Sequence, residues 1–537
     1  MLVANDNYQA LYRSFKFVMP KQYNMGVDVC DKWYKKSPAK LAIIHKRDDG
    51  SIKNYSYSDL YKSSNAICNV LMQDGFSEGD RVAVLLPQSP EVAFAHIATY
   101  KMAGIAVPLF SLFGEEAIKY RLQNSGCKYL VTNLEGLGKI SAILEELPDL
   151  KKIYCIDGAS ADSDNLYERM AQVDDEFVAM PTTGDTPALI IYTSGTTGQP
   201  KGALHGQRVL LGHLPGVEMS HDFFPQPGDV IWTPADWAWI GGLYDVLLPA
   251  LHHGVPVVCH RFKKFIPEQV FALISELKIK NMFLPPTAIR MLATAKDAEK
   301  TWDLNVRTIA SGGETLGESL HQWGEQTFNV TINEFYGQTE CNMVVSSCAA
   351  MMTTPPGFMG KAVPGHKVAI VDEAGKVLPA NHIGNIAVYA DSPTQFLCYW
   401  KNPGKTQEKY IGKWLLTGDC GLQNTDGFIK FLARDDDVIT SSGYRIGPGE
   451  IEDCLIMHDS VKLAAVIGKP DKTRTEIVKA FVVLNAGFEP TQALKEQIMA
   501  FVKDKLSAHE YPREIEFSDA IEMTTTGKIM RKQLSRL

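Results

Sequence analysis

The residues in this sequence best equipped for chemistry form one run, Tyr192-Thr193-Ser194-Gly195-Thr196-Thr197-Gly198-Gln199-Pro200-Lys201-Gly202. Its glycines let backbone N–H groups approach a ligand closely, its hydroxyls add donors, and Lys201 brings a positive charge. Such a run can hold an anion, above all a polyphosphate. It is not a Walker loop, because the Gly-Lys-Ser/Thr ending is missing. A flexible Ser/Gly linker would share the composition. Against that reading, the run lies between a buried-type strand, Ala188-Leu189-Ile190-Ile191, and an amphipathic segment, Val209 to Leu214.

Other segments offer chemistry of the same kind. Ser311-Gly312-Gly313-Glu314 follows the strand-like Val306 to Ala310, and Phe335-Tyr336-Gly337-Gln338-Thr339-Glu340 follows Val330 to Asn333. Both occupy the place where an open α/β sheet presents its ligand loops. Thr417-Gly418-Asp419 supplies a carboxylate that can accept hydrogen bonds from both hydroxyls of a ribose.

The elements that must position these loops are legible in outline. From about Asp80 to Tyr336 short β-rich runs alternate with helix-like segments, a pattern that predicts parallel sheets flanked by helices. After Gly357 the runs shorten and Gly, Pro and Asn separate them, which predicts antiparallel strands and a small barrel. Beyond the polar stretch Arg434-Asp435-Asp436-Asp437 and Gly449 comes a mixed pattern. Its helices are expected at Glu450 to Met457 and Thr491 to Leu506, and its strands at Ala464 to Gly468 and Ala480 to Leu484. That is the size of a further α+β domain of about 100 residues.

Composition narrows the partners. A chain of 537 residues exceeds what a single core usually supports, so at least two domains are expected. A net charge of -8 argues against a general nucleic-acid binder. The ten cysteines form no Cys-x-x-Cys pair and are expected to be reduced thiols. With neither a secretory signal nor an apolar span long enough for a bilayer, the expected location is cytoplasmic.

From about Tyr55 to Arg531 the sequence resembles the AMP-forming adenylating superfamily of acyl-CoA synthetases, luciferases and peptide-synthetase adenylation domains. The resemblance rests on the Thr-Ser-Gly-Thr-Thr-Gly-x-Pro-Lys-Gly loop, Tyr-Gly-Gln-Thr-Glu, Thr-Gly-Asp, Ser-Gly-Tyr-Arg-Ile and Thr-Gly-Lys-Ile, in that order. It implies an α/β fold with a large N-terminal domain of two α/β subdomains with parallel-type sheets plus a small β-barrel, residues 1–434. A mobile α+β C-terminal domain, residues 435–537, would follow.

The resemblance also implies roles. Thr193, Ser194, Gly195, Thr196, Thr197, Gly198 and Lys201 would hold the β- and γ-phosphates of ATP, and Glu340 would reach Mg2+. Tyr336 would stack on adenine, Thr339 would contact the α-phosphate, and Gly312, Gly313 and Glu314 would line the adenine and acyl sites. Gly337 and Gln338 belong to the same nucleotide-binding motif, Asp419 and Arg434 match ribose contacts, and Arg445 belongs to the matching C-terminal motif. Lys528 resembles the catalytic lysine that would offset charge at the α-phosphorus. Asp436 would be the hinge between two half-reactions and Gly443 would line the thiol tunnel of the second.

Acetate-activating members carry a tryptophan where this chain has Gly337, so a longer acyl chain should fit a pocket of Trp239, Ile240, Gly241 and Gly337. Trp237 and Trp239, two apart in an extended loop, would point to opposite sides, so at most one faces the ligand. Asp236 is the nearby acid that an amino-acid substrate would need. The C-terminal motifs, with Tyr511-Pro512-Arg513, look closest to the medium-chain acyl-CoA synthetase branch. Because the sequence stops at Leu537, shortly after Lys528, free coenzyme A is the expected acceptor.

The expected activity is ligation of a short-to-medium carboxylic acid to coenzyme A at the expense of ATP. An aromatic acid-CoA ligase and a non-catalytic nucleotide or acyl-AMP sensor are the rival readings, and Lys528 and Glu340 argue against the sensor. A homo-oligomer is left open. His252, His253, Cys259 and His260 lack zinc-ligand spacing. Arg531, Lys532 and Arg536 are expected to be solvated charges.

Overall fold

The structure is a computed structural model that describes residues 1–5, 7–193, 199–434, 437–441, 444–471, 475–506, 511–523 and 529–534. Strands such as Arg81–Leu85, Ile105–Pro108 and Tyr129–Thr132 are short, apolar runs without strict alternation. Their burial on both faces follows, because helices cover both sides of a parallel sheet.

They form the centre of an eight-stranded sheet. Across it the order is Cys398–Tyr399, Lys201–Gly206, Pro187–Thr193, Ile105–Pro108, Arg81–Leu85, Tyr129–Thr132, Lys152–Cys155 and Asp164–Asn165. Pairing is parallel except at Pro187–Thr193 with Lys201–Gly206 and at Lys201–Gly206 with Cys398–Tyr399. A second, nine-stranded sheet has a parallel centre that includes Ile231–Trp232, Asn281–Phe283, Thr308–Gly312 and Asn333–Tyr336. One apolar core joins strands of both sheets to the helices Pro90–Lys101, Val209–Ser220 and Leu248–His253.

The helix Val209–Ser220 departs from the amphipathic expectation, since every one of its residues is buried. A helix walled in by core on all sides needs no polar face. Gly216 lets it approach the second sheet: a Cβ there would lie 2.6 Å from Cβ of Met343. The strand Lys201–Gly206, paired antiparallel with Pro187–Thr193, is a further departure.

A five-stranded antiparallel half-barrel comes next in the chain, with Trp414–Gln423 paired along one side to Gly384–Tyr389 and along the other to Tyr410–Ile411 and Ile429–Arg434. The last sheet takes Ile439–Ser441, Tyr444–Ile446, Val461–Asp471, Thr475–Leu484 and Glu514–Phe517. With the helices Pro448–Ile456 and Gln492–Lys505 it encloses a core whose residues all lie at or beyond Ile439. Among the described residues no helix is long and apolar enough to cross a membrane.

Candidate active site

The two large sheets and the half-barrel meet around a cavity of about 1190 Å³. Thr193, Lys201, Gly312, Gly313, Glu314, Tyr336, Gly337, Gln338, Thr339, Glu340, Asp419 and Arg434 all line it, as do Trp239, Ile240 and Gly241. Strands from three sheets thus deliver the expected residues to one space. Ser194, Gly195, Thr196, Thr197, Gly198, Asp436, Gly443 and Lys528 lie outside the described residues. Arg445 lies in the strand Tyr444–Ile446. Met523 lines the cavity and bridges to Ile529.

The strands Thr308–Gly312 and Asn333–Tyr336 run further along the chain than their apolar composition predicts, and they carry Gly312 and Tyr336 inside the sheet. In their parallel register Gly312 faces Phe335, and a Cβ on the glycine would be 2.7 Å from that ring. From the end of its strand Tyr336 donates its hydroxyl to Asp419 Oδ2 at 2.5 Å. Burial, reinforced by the charge of Asp419, holds the Tyr336 phenol well above its ordinary value and so keeps it a donor. Asp419 is in turn the register partner of Arg434 across the half-barrel ladder.

Beside them, Gln338 Nε2 donates to the Thr417 carbonyl at 2.8 Å. Lys409 Nζ donates to Gln338 Oε1 and to the same carbonyl, each at 3.1 Å. Glu340, buried, accepts the hydroxyl of Tyr399 on Oε1. Lys201 Nζ sits 4.7 Å from the centre of the Tyr399 ring. Burial draws the Lys201 amine below its ordinary value, and Glu340 opposes that shift. Glu314 is held by Arg290 Nη1 at 3.1 Å and by the Thr287 hydroxyl at 3.3 Å.

Another part of the cavity wall is aromatic. Trp239 packs against Phe110 and Phe113, with centroids 5.4 and 5.9 Å away, and Phe283 packs against Phe335 at 5.2 Å. Trp237 points into the core and is buried, so one of the two tryptophans faces the cavity. The segment is a turn rather than an extended loop, closed by Trp239 N donating to the Asp236 carbonyl at 3.1 Å. Asp236 lines the cavity with its carboxyl pushed up to about 6 by burial.

Gly337 needs a correction. A Cβ there would lie 2.4 Å from the backbone nitrogen of Met343 and 2.7 Å from Cα of Asn342. The missing side chain therefore makes room for backbone, and a tryptophan could not simply fill acyl space without moving the 342–343 segment. Arg531 is a second correction, because it is not a solvated charge. It donates to Glu452 Oε1 and Oε2 at 2.8 and 2.6 Å and to Asp437 at 3.2 Å, which ties the residues just past the Thr-Gly-Lys motif to the last domain's helix.

Sequence reasoning missed Lys409 and Tyr399, which lie in no motif, and also Asn342 and Asp245. The last carried a signal, being an acid inside the apolar run Ile240 to Leu251. The histidines set aside above have partners of their own: His252 Nδ1 lies 2.8 Å from Asp28, His253 Nε2 lies 3.1 Å from Glu218, and His260 Nδ1 lies 2.8 Å from the Lys46 carbonyl.

Known proteins resemble this chain along nearly its whole length. Acetyl-coenzyme A synthetase of Bacillus subtilis (strain 168) is 34% identical over 545 residues, covering 98% of this chain and 94% of its own. The mitochondrial acyl-coenzyme A synthetase ACSM4 of Homo sapiens is also 34% identical, with 96% and 90% covered. The crystal structure of the anthranilate CoA ligase AuaEII in complex with anthranoyl-AMP superposes with a TM-score of 0.88 at 27% identity, covering 96% of this chain and 98% of that one. The profile "AMP-binding enzyme" matches residues 30–400 and "AMP-binding enzyme C-terminal domain" matches residues 450–528. With the profile covering well over half of the sequence and relatives a third identical along nearly all of it, this chain belongs to the AMP-binding enzyme family.

Proposed function

We propose that this chain is an ATP-dependent, AMP-forming acyl-CoA synthetase acting on a short-to-medium carboxylic acid. The observation that carries the reading is the single cavity, in which polar groups that suit a nucleotide share the wall with an arm lined by aromatic rings. Adenine would lie against Tyr336 and the Gly312-Gly313-Glu314 segment, and the ribose against Asp419 and Arg434. The phosphates would lie towards Thr193, Lys201, Thr339 and the run from Ser194 to Gly198.

In the first half-reaction a carboxylate oxygen of the acid attacks the α-phosphorus of ATP. The bond to the bridging oxygen breaks, giving acyl-adenylate and pyrophosphate. Charge grows on the non-bridging oxygens, so fixed donors are worth most there. Thr339, Lys201 and Lys528 are the donors we assign. Glu340 presents a carboxylate to the cavity, the hard oxygen donor that Mg2+ takes. The cation would neutralise part of the polyphosphate charge. Tyr399, by donating to Oε1, would fix the orientation of Glu340.

In the second half-reaction the thiol of coenzyme A attacks the adenylate carbonyl, AMP leaves, and the thiol proton is released. We propose a boundary at 434/435, a hinge at Asp436 and a thiol tunnel along Gly443, so that residues 435–537 reorient between the steps. The separate core beyond Ile439 supports that division. A cytoplasmic location is proposed on the ten cysteines, all of them free thiols.

The rings of Phe110, Trp239, Phe283 and Phe335 also suit a flat substrate, which favours an aromatic acid-CoA ligase as the second reading. A panel of carboxylic acids assayed for AMP release with and without coenzyme A separates the two. Release with aliphatic acids of intermediate length is expected, release with benzoate alone would install the second reading, and no pyrophosphate exchange with any acid would overturn both.

A further inference from the structure

The acyl arm ends on a polar pair that an alkyl chain does not need. Asp245, in the helical turn Leu243–Leu247, is buried and lines the cavity. Asn342 lines it as well and donates Nδ2 to both carboxyl oxygens, at 2.7 and 2.8 Å. The pair lies at the floor of the arm: a Cβ on Gly241 would be 2.9 Å from the Phe283 ring and 3.6 Å from Asp245 Oδ2. On its other side, a Cβ on Gly337 would be 2.7 Å from Cα of Asn342.

The partner given to Asp245 is a neutral amide, so burial carries its carboxyl well above the ordinary range. Its oxygens accept hydrogen bonds, and when the carboxyl is protonated it has a hydroxyl to donate as well. A pair that served only to pin Asn342 could be replaced by apolar packing and would have no reason to face the cavity.

We propose that Asp245 and Asn342 select the substrate, and that the acid taken by this arm carries a hydroxyl group at the end remote from its carboxylate. A hydroxyl both accepts and donates, which matches a buried carboxyl beside an amide. A terminal methyl in the same place would lie against this polar pair without forming any hydrogen bond to it, whereas a hydroxyl adds one. An ammonium would instead require Asp245 to ionise in an apolar setting. The inference rests on the acyl-CoA synthetase reading and deepens it.

The test compares isosteric acids with the whole enzyme: pentanoate with 4-hydroxybutyrate, hexanoate with 5-hydroxypentanoate, and the corresponding ω-amino acids. Coenzyme-A-dependent AMP release gives kcat/KM for each. At least one hydroxy acid is expected to exceed its alkyl counterpart by about tenfold or more, and Asp245→Leu and Asn342→Leu are expected to bring that ratio to one or below. The wild-type ratios decide the matter even if the variants fold poorly. Activity with every hydroxy acid at or below its counterpart, or a preference for the amino acid, overturns this inference and leaves the enzyme reading standing. No activity with any acid overturns both.

Discussion

At the end of the cavity proposed for the nucleotide the polar side chains are tied to one another, Tyr336 to Asp419, Gln338 to Lys409 and Thr417, and Glu340 to Tyr399. At the end proposed for the acyl group two carboxyls, Asp236 and Asp245, line the cavity with aromatic rings, and both are pushed upward by burial. The first arrangement keeps donors and charges fixed where a polyphosphate would bring its own charge. The second raises acids by burial among apolar rings, where hydrogen-bonding groups of a ligand are discriminated without competition from water. One cavity thus has an end built for charge and an end built for shape and hydrogen bonding.

The sharpest break of that contrast is Lys528→Ala. Adenylate formation, read as pyrophosphate exchange, should fall about 10²- to 10³-fold for all acids alike. Thioester formation from supplied acyl-AMP should be spared, and equal losses in both steps would remove Lys528 from the first. Between the two ends, Gly337→Ala would press on the Asn342–Met343 backbone and should lower stability by about 1–3 kcal/mol in a denaturant titration. An unchanged midpoint would mean that the close approach is absent in solution.

Tyr336→Phe removes the hydroxyl from Asp419 and should raise KM for ATP about tenfold, a loss near the worth of one hydrogen bond to a charged group. KM for the acid should stay as it is; a rise in both would dissolve the division into two ends. The last effect concerns Asp236, whose carboxyl is raised to about 6 from an ordinary 3.8. The folded protein binds that proton more tightly than the unfolded chain, so the stabilisation is complete below about pH 4 and is lost as pH rises through about 6. Asp236→Asn should flatten the stability profile over that window by up to about 3 kcal/mol. A variant that keeps the wild-type slope would show that Asp236 is not its source.

Most of the cavity wall proposed for the nucleotide was legible in the sequence because its groups occur in short motifs, where neighbours in the chain are neighbours in the cavity. Gly312, Tyr336 and Glu340 needed only to be found beside strand ends. The helix Val209–Ser220 was misread as amphipathic because its short apolar stretch cannot say how many of its sides are covered. Gly337 was read as absent side-chain volume, whereas the atoms that fill that space belong to backbone five and six residues later. Lys409, Tyr399 and the Asp245–Asn342 pair come from elements distant in sequence, and no spacing rule links them.

By itself the sequence determined the succession of strands and helices, the weakly acidic composition, and the motif order that marks an adenylating enzyme. Only the tertiary structure decided which acids burial raises, which arginine is paired and which residues from distant elements share the cavity wall. The reason is physical: apolar periodicity and turn chemistry are local, whereas desolvation and ion pairing depend on everything packed around a group. Arg531 shows the difference, reading as a free charge beside Lys532 and becoming a fixed one only where the fold brings Glu452 and Asp437 to it.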